Sequence, residues 1–168
     1  VNYLSEHGIS NLDELDASLS SVSDRAYSIR AGMKTAEQRM KELQKLIENG
    51  ENYLQYKPIH AELKKLKNDW TNKRDKYEEV HRAELTLWNA ASRYLHANLT
   101  DTKTLPISEW KQEYADLKAQ RDTDYTKLKA ARAEVAELQK IRKCVDIALR
   151  ADQPEQMQSR TKRHEQER

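Results

Sequence analysis

The stretch from Leu12 to Ile47 constrains the fold of this chain more than any other part of it. Leu12, Leu15, Leu19, Val22, Ala26, Ile29, Met33, Ala36, Met40, Leu43 and Ile47 follow one another at alternating intervals of three and four residues without a break. A strand, with its period of two, would scatter these side chains over both faces, whereas a helix gathers them into one stripe that must be covered by another helix. The spacing therefore predicts a helix over 11–49, with Asp13, Glu14 and Asp16 at its positive end and Lys41 and Lys45 near its negative end. Ahead of it, Tyr3 to His7 reads as the end of a preceding element. Gly8 suits a helix C-terminus, and Ser10 or Asn11 supplies the next N-cap.

Two further stripes follow. Asn49-Gly50 reads as a tight connection, and a second helix is expected over 51–98 with Pro58 as a bend or a first-turn restart. Its stripe is Tyr56, Ile59, Leu63, Leu66, Trp70, Lys73, Tyr77, Val80, Glu84, Leu87, Ala91 and Tyr94, with Leu85, Trp88 and Leu95 forming a shifted stripe near the end. Asn98 to Leu105 is polar, Pro106 bars continuation of the helix before it, and Ser108 caps a third helix over 108–150. Trp110, Tyr114, Leu117, Leu128, Ala131, Val135, Leu138, Val145 and Leu149 carry that stripe, and Arg121, Asp124 and Arg142 within it are expected near a rim, in pairs, or facing a gap.

The fold class expected is all-α, an up-down-up coiled-coil bundle of three long helices shaped as a rod, each roughly 60 to 70 Å long. Residues 1–10 would form the end of a preceding segment and a turn, 11–150 the rod, and 151–168, where Gln, Pro and mixed charge replace the stripe, a disordered tail. Composition agrees with long amphipathic helices rather than a sheet-based enzyme domain: 35% charged residues, three Gly, three Pro and no Phe in 168 residues.

The net charge of +2 gives no global attraction to nucleic acid, so any such role must come from local clustering. One cluster exists. Lys64, Lys65, Lys67, Lys73, Arg74 and Lys76 surround Trp70 and form the candidate DNA contact, weighed against a solvated face with Glu-Lys pairing. Trp70, Trp88 and Trp110 fall on or beside a stripe and are expected as core or helix-interface anchors.

Catalytic and metal chemistry find no footing in the sequence, and no cofactor is expected. Glu78 and His81 give one Glu-x-x-His pair, too few ligands for a metal site. Cys144, alone and beside Val145, is expected as a partly buried residue rather than a nucleophile, and a lone cysteine suits a reducing cytoplasm. Gly8, Gly32 and Gly50 are isolated, which excludes a glycine-rich phosphate loop. No apolar run approaches the ~18 residues of a membrane span. The lack of an initiating Met suggests a piece of a longer protein.

Several strings resemble one family. Tyr3-Leu4-Ser5-Glu6-His7-Gly8-Ile9, Asn52 to Lys57, His81 to Ala91, Leu105-Pro106 and Glu113 to Leu117 are similar to the C-terminal helical half of MobA/MobL-type relaxase/mobilisation proteins of bacterial conjugative and mobilisable elements. The resemblance implies an accessory helical region whose partners are other mobilisation or transfer proteins, DNA, or a second copy of the chain. The nuclease of that family uses a Tyr nucleophile and a His-ligated divalent metal in a separate N-terminal domain. This sequence has no His-x-His arrangement, so no catalytic residue carries over. A stand-alone coiled-coil adaptor and a rod that binds DNA directly are the alternatives.

Overall fold

The computed structural model describes the backbone of residues 2–66 and 72–166 and the side chains of 3–66 and 72–151. It is 90% helix, with no strand among the described residues. Five helices follow in order: α1 (Asn2–Glu6), α2 (Leu12–Lys65), α3 (Lys73–Val80), α4 (Arg82–Asn98) and α5 (Ile107–Gln166).

The N-terminal capping signals act as read. Gly8 sits at φ +65°, and the Ile9 N–H donates to Leu4 O at 2.8 Å while the Gly8 N–H donates to Ser5 O at 3.3 Å, the paired bonds of a Schellman stop. Asn11 Oδ1 then accepts the Glu14 N–H at 2.8 Å, and the Glu14 carboxylate accepts both the N–H and the hydroxyl of Ser10 at 2.7 Å. Those bonds hold the Glu14 carboxyl below its usual range.

The expected stop at Asn49-Gly50 does not occur. Helix α2 runs on through Gly50 and Pro58 to Lys65, 54 residues in all, so the expected helices 11–49 and 51–98 are replaced by a longer first element and the later pair α3 and α4. The physical reason lies at Gly50. A Cβ there would stand 3.1 Å from the Ile107 side chain and 3.3 Å from Trp110, so the glycine serves close approach of the start of α5 rather than a turn. Asn49 stays within the helix by donating its side-chain amide to Lys45 O at 2.8 Å. A disordered tail was expected over 151–168; the backbone of α5 is helical as far as Gln166, and 167–168 lie outside the described residues.

The chain divides into two compact units, 1–33 with 122–168, and 34–121. In the first, Leu15, Val22, Ala131 and Leu138 are buried, with Leu4, Ile9, Leu12, Leu19, Val135 and Val145 packed around them. Arg25 pairs with Glu134, and Arg142 bridges Asp16, at 2.5 Å, and Asp146. As numbering rises from 16 to 25 on α2 it falls from 142 to 134 on α5, so the two helices run antiparallel. Arg142, a polar interruption of the third stripe, takes the rim position expected of it, and its guanidinium is held above its ordinary pKa by Asp16 and then Asp146.

In the second unit Leu43, Leu46, Leu95 and Trp110 form the core, with Ile47, Tyr53, Leu99, Leu105, Ile107 and Tyr114 against it. Arg39 grips Glu113 with two hydrogen bonds of 2.7 and 3.0 Å, and Lys111 meets Glu51 at 2.7 Å. That fork raises the Arg39 pKa and lowers that of Glu113, in each case chiefly through the shared hydrogen bond. The contacts of Arg39 with Glu113 and of Gly50 with Ile107 set α5 antiparallel to α2. Tyr53 and His60 stack on Trp88 while Leu43 and Leu46 share a core with Leu95, which sets α4 antiparallel to α2 as well. An up-down-up order requires the first and last long helices to run parallel. These pairings replace that expectation: α4 and α5 both run antiparallel to α2, so the connection over 99–106 joins two helices of the same direction where a second reversal was expected.

The two helical glycines predict opposite responses. Nothing lies within 4 Å of a Cβ built on Gly32. Gly32→Ala is therefore expected to stabilise the chain by ~0.5–1 kcal/mol, raising Tm by a few degrees. Gly50→Ala is expected to yield no such gain, because Ile107 and Trp110 must move to admit the methyl group. Thermal melts followed by circular dichroism check both, and equal gains would place Gly50 away from the packed interface.

Candidate functional site

The basic cluster sits at the end of α2 and the start of α3. Lys64 and Lys65 close α2, and Lys73, Arg74 and Lys76 open α3; all five are exposed, on the two sides of one inter-helix connection. Lys67 and Trp70 lie outside the described residues. The cluster is not uniformly basic: Lys65 Nζ holds Glu62 at 2.8 Å, a hydrogen bond that raises the lysine pKa, and Asp75, Glu78 and Glu79 follow on α3. Together with Arg82, Thr86 and Asn89, those three acids line an open concavity of about 470 Å³.

An aromatic stack stands beside the cluster. The His60 ring lies on Trp88 with centroids 3.5 Å apart and 12° between planes, and Tyr53 stacks on Trp88 at 5.6 Å. Lys57 Nζ is 5.8 Å from the Tyr53 ring centroid. The stack ties α4 to α2, and burial, then the Lys64 charge, pushes the His60 pKa below its ordinary 6.5. Neutral His60 is thus the form the fold prefers. Its contribution to stability is complete above the unfolded imidazole pKa near 6.5 and is lost as pH falls from there toward the depressed folded value. The expected result is a Tm that drops between pH 7 and pH 5, with a smaller drop in His60→Phe, which keeps a stacked ring without the proton. Identical slopes for the two chains would assign the pH dependence to other groups.

The remaining sequence candidates separate cleanly. Trp110 is a core anchor at 7% exposure, and Trp88 is half-buried at the interface of α2 and α4. Glu78 and His81 gain no further ligand: among the described residues no group of three or more His, Cys, Asp or Glu is placed to hold an ion. His81 Nδ1 instead lies 3.6 Å from Glu84, and its ring is tilted on Tyr77. Cys144 is exposed rather than partly buried, because it stands one residue, about 100° of helical rotation, away from the inward Val145. Among the described residues no helix is long and apolar enough to cross a membrane.

Sequence reasoning missed the His60–Trp88 contact and the outward face of α3 and α4. Both apolar stripes of 73–98 were visible in the sequence. The structure buries Leu85, Ala91 and Leu95 and leaves Val80 at 75% and Leu87 at 43% exposure. Leu85, Trp88 and Leu95 of the shifted stripe turn inward together with Ala91 and Tyr94 of the first, and the bulk of the shifted stripe was the available signal.

No family model matches the chain, and neither a curated protein nor a solved structure matches it.

Proposed function

We propose that this chain is a noncatalytic helical interaction region of a DNA-mobilisation relaxase that supports conjugative transfer through contacts with other transfer proteins and with DNA. The observation that carries the DNA contact is the set of exposed cations, Lys64, Lys65, Lys73, Arg74 and Lys76, on both sides of one connection. Clustered cations displace the counterions condensed on a phosphate backbone, which makes binding nonspecific and strongly salt-dependent. Support for the family comes from the strings at Tyr3 to Ile9, Asn52 to Lys57, His81 to Ala91 and Glu113 to Leu117.

Fluorescence anisotropy with a labelled oligonucleotide tests the contact. Binding at low salt should weaken steeply as salt rises, and replacing Lys64, Lys65, Lys73 and Arg74 with Gln should lower affinity by roughly tenfold or more. Absence of binding at low salt would remove DNA from the proposal. The relaxase reading has its own test, the coding sequence upstream of Val1: a nuclease domain bearing a His cluster and a nucleophilic Tyr is expected there. A gene without one, combined with no DNA binding, would favour a stand-alone coiled-coil adaptor, the reading that the antiparallel helix pairing and its ion pairs also suit.

A further inference from the structure

Helix α5 over 122–151 carries seven cations and five acids, a near balance that hides how the fold sorts them. The acids are paired or turned aside. Glu134 pairs with Arg25 of α2, Asp124 with Lys127 and Asp146 with Arg142, while Glu137 lies on the flank toward Tyr3. Asp122 stands seven residues ahead of the first outward cation, Lys129. Lys129, Arg132, Lys140, Lys143 and Arg150 remain, all exposed and none in an ion pair with a described residue. At 100° per residue the five fall within an arc of about 80°, on the side of α5 turned away from the buried Ala131 and Leu138. At 1.5 Å per residue they extend over about 32 Å of helix, and no carboxylate stands within the arc between them.

A face that only meets water is built differently. Solvated helix surfaces set opposite charges three and four residues apart, where they attract. Here Lys129 and Arg132 are like charges three apart, and Lys140 and Lys143 repeat the arrangement eleven residues on, a spacing that returns a helix to nearly the same angle. Each pair repels along the helix surface, so the stripe weakens α5 until a polyanion lies along it.

We infer that the outer face of α5 from Lys129 to Arg150 is a binding surface for duplex nucleic acid, held by its phosphate backbone. A straight stripe of fixed cations suits a stiff partner with fixed phosphates, and its length is close to one turn of a B-form duplex, ~34 Å. A single strand would call for aromatic platforms on which its bases stack, and Tyr125 is the one aromatic residue of 122–151. A membrane surface would call for an apolar side to enter the lipid, and α5 has committed its apolar side to Leu15 and Val22 of α2. Contact with phosphates alone carries no sequence preference and falls steeply with salt. This surface uses none of the cations at 64–76 and does not rest on the family resemblance.

Fluorescence anisotropy of the full chain with a labelled DNA duplex of about 20 base pairs, across a salt series, tests it. Replacing Lys129, Arg132, Lys140 and Lys143 with Gln should lower affinity at low salt by roughly tenfold or more and reduce the salt slope by about 3, with helicity unchanged. Ala136→Lys, which fills a gap in the stripe, should tighten binding by roughly threefold. Ala130→Lys adds the same charge at an exposed position about 120° round the helix and should not. Equal gains from the two would reduce the effect to net charge and overturn the inference. A second variant, with Lys64, Lys65, Lys73 and Arg74 changed to Gln, separates this surface from the cluster at 64–76. Affinity and slope that fall only in that variant overturn the inference and leave the cluster's contact standing; a fall only in the α5 variant does the reverse. Vesicles containing phosphatidylserine supply the last arm: binding tighter than that of the duplex, and lost in the α5 variant, would assign the face to a membrane surface and overturn the inference.

Discussion

Replacing Leu138 with Asp is expected to unfold the unit built from 1–33 and 122–168. Leu138 is fully enclosed, at 0% exposure, in the cluster with Leu15, Val22 and Ala131. A carboxylate there loses its water inside an apolar cluster, which costs more than ~4 kcal/mol when the lost packing is added. Leu138→Ala, which leaves a cavity without burying charge, should cost about 2–5 kcal/mol. Leu149→Asp, on the same helix but at 49% exposure, should change stability by no more than ~0.5 kcal/mol. Helicity and chemical denaturation measure all three. A Leu138→Asp chain that melts like its parent would show that this residue does not face α2.

The second large effect separates the two apolar stripes of α4. Leu95 is at 0% exposure in the core with Leu43, Leu46 and Trp110, so Leu95→Ala should cost about 2–5 kcal/mol and weaken the near-ultraviolet signal of the neighbouring aromatic rings. Leu87→Ala should cost less than ~1 kcal/mol, because the side chain is already 43% exposed. Equal costs at the two positions would mean that α4 is rotated relative to the packing described.

These contrasts mark where the sequence could be read and where it could not. The stripe from Leu12 to Ile47 specified a helix because its periodicity is a property of the local chain, and the Gly8 stop and the Asn11 cap followed from single residues with fixed conformational preferences. Asn49-Gly50 carried the same local signature as a turn. Its actual role depends on Ile107 and Trp110, more than fifty residues away, and no local rule encodes that approach. The direction of α5 was a separate matter, since the polar connection over 99–106 read as a reversal and instead joins two helices that both run antiparallel to α2. Choosing between the stripes of α4 required weighing bulk, with Leu85, Trp88 and Leu95 outweighing Val80 and Leu87. The basic cluster was legible as composition, but its placement around one connection was not.

The opposed salt links of the first unit, Asp16 to Arg142 and Arg25 to Glu134, also limit how the gene can change length. Losing one codon between them on α2 would turn the following side chains by about 100°, swinging Val22 away from its neighbours. Losing seven restores the angular phase but slides everything beyond by about 10 Å. Only a matching loss on α5 brings the acids and arginines back into reach. Insertions and deletions in this stretch should therefore be tolerated as coordinated blocks of seven on both helices, and rejected when they strike one helix alone.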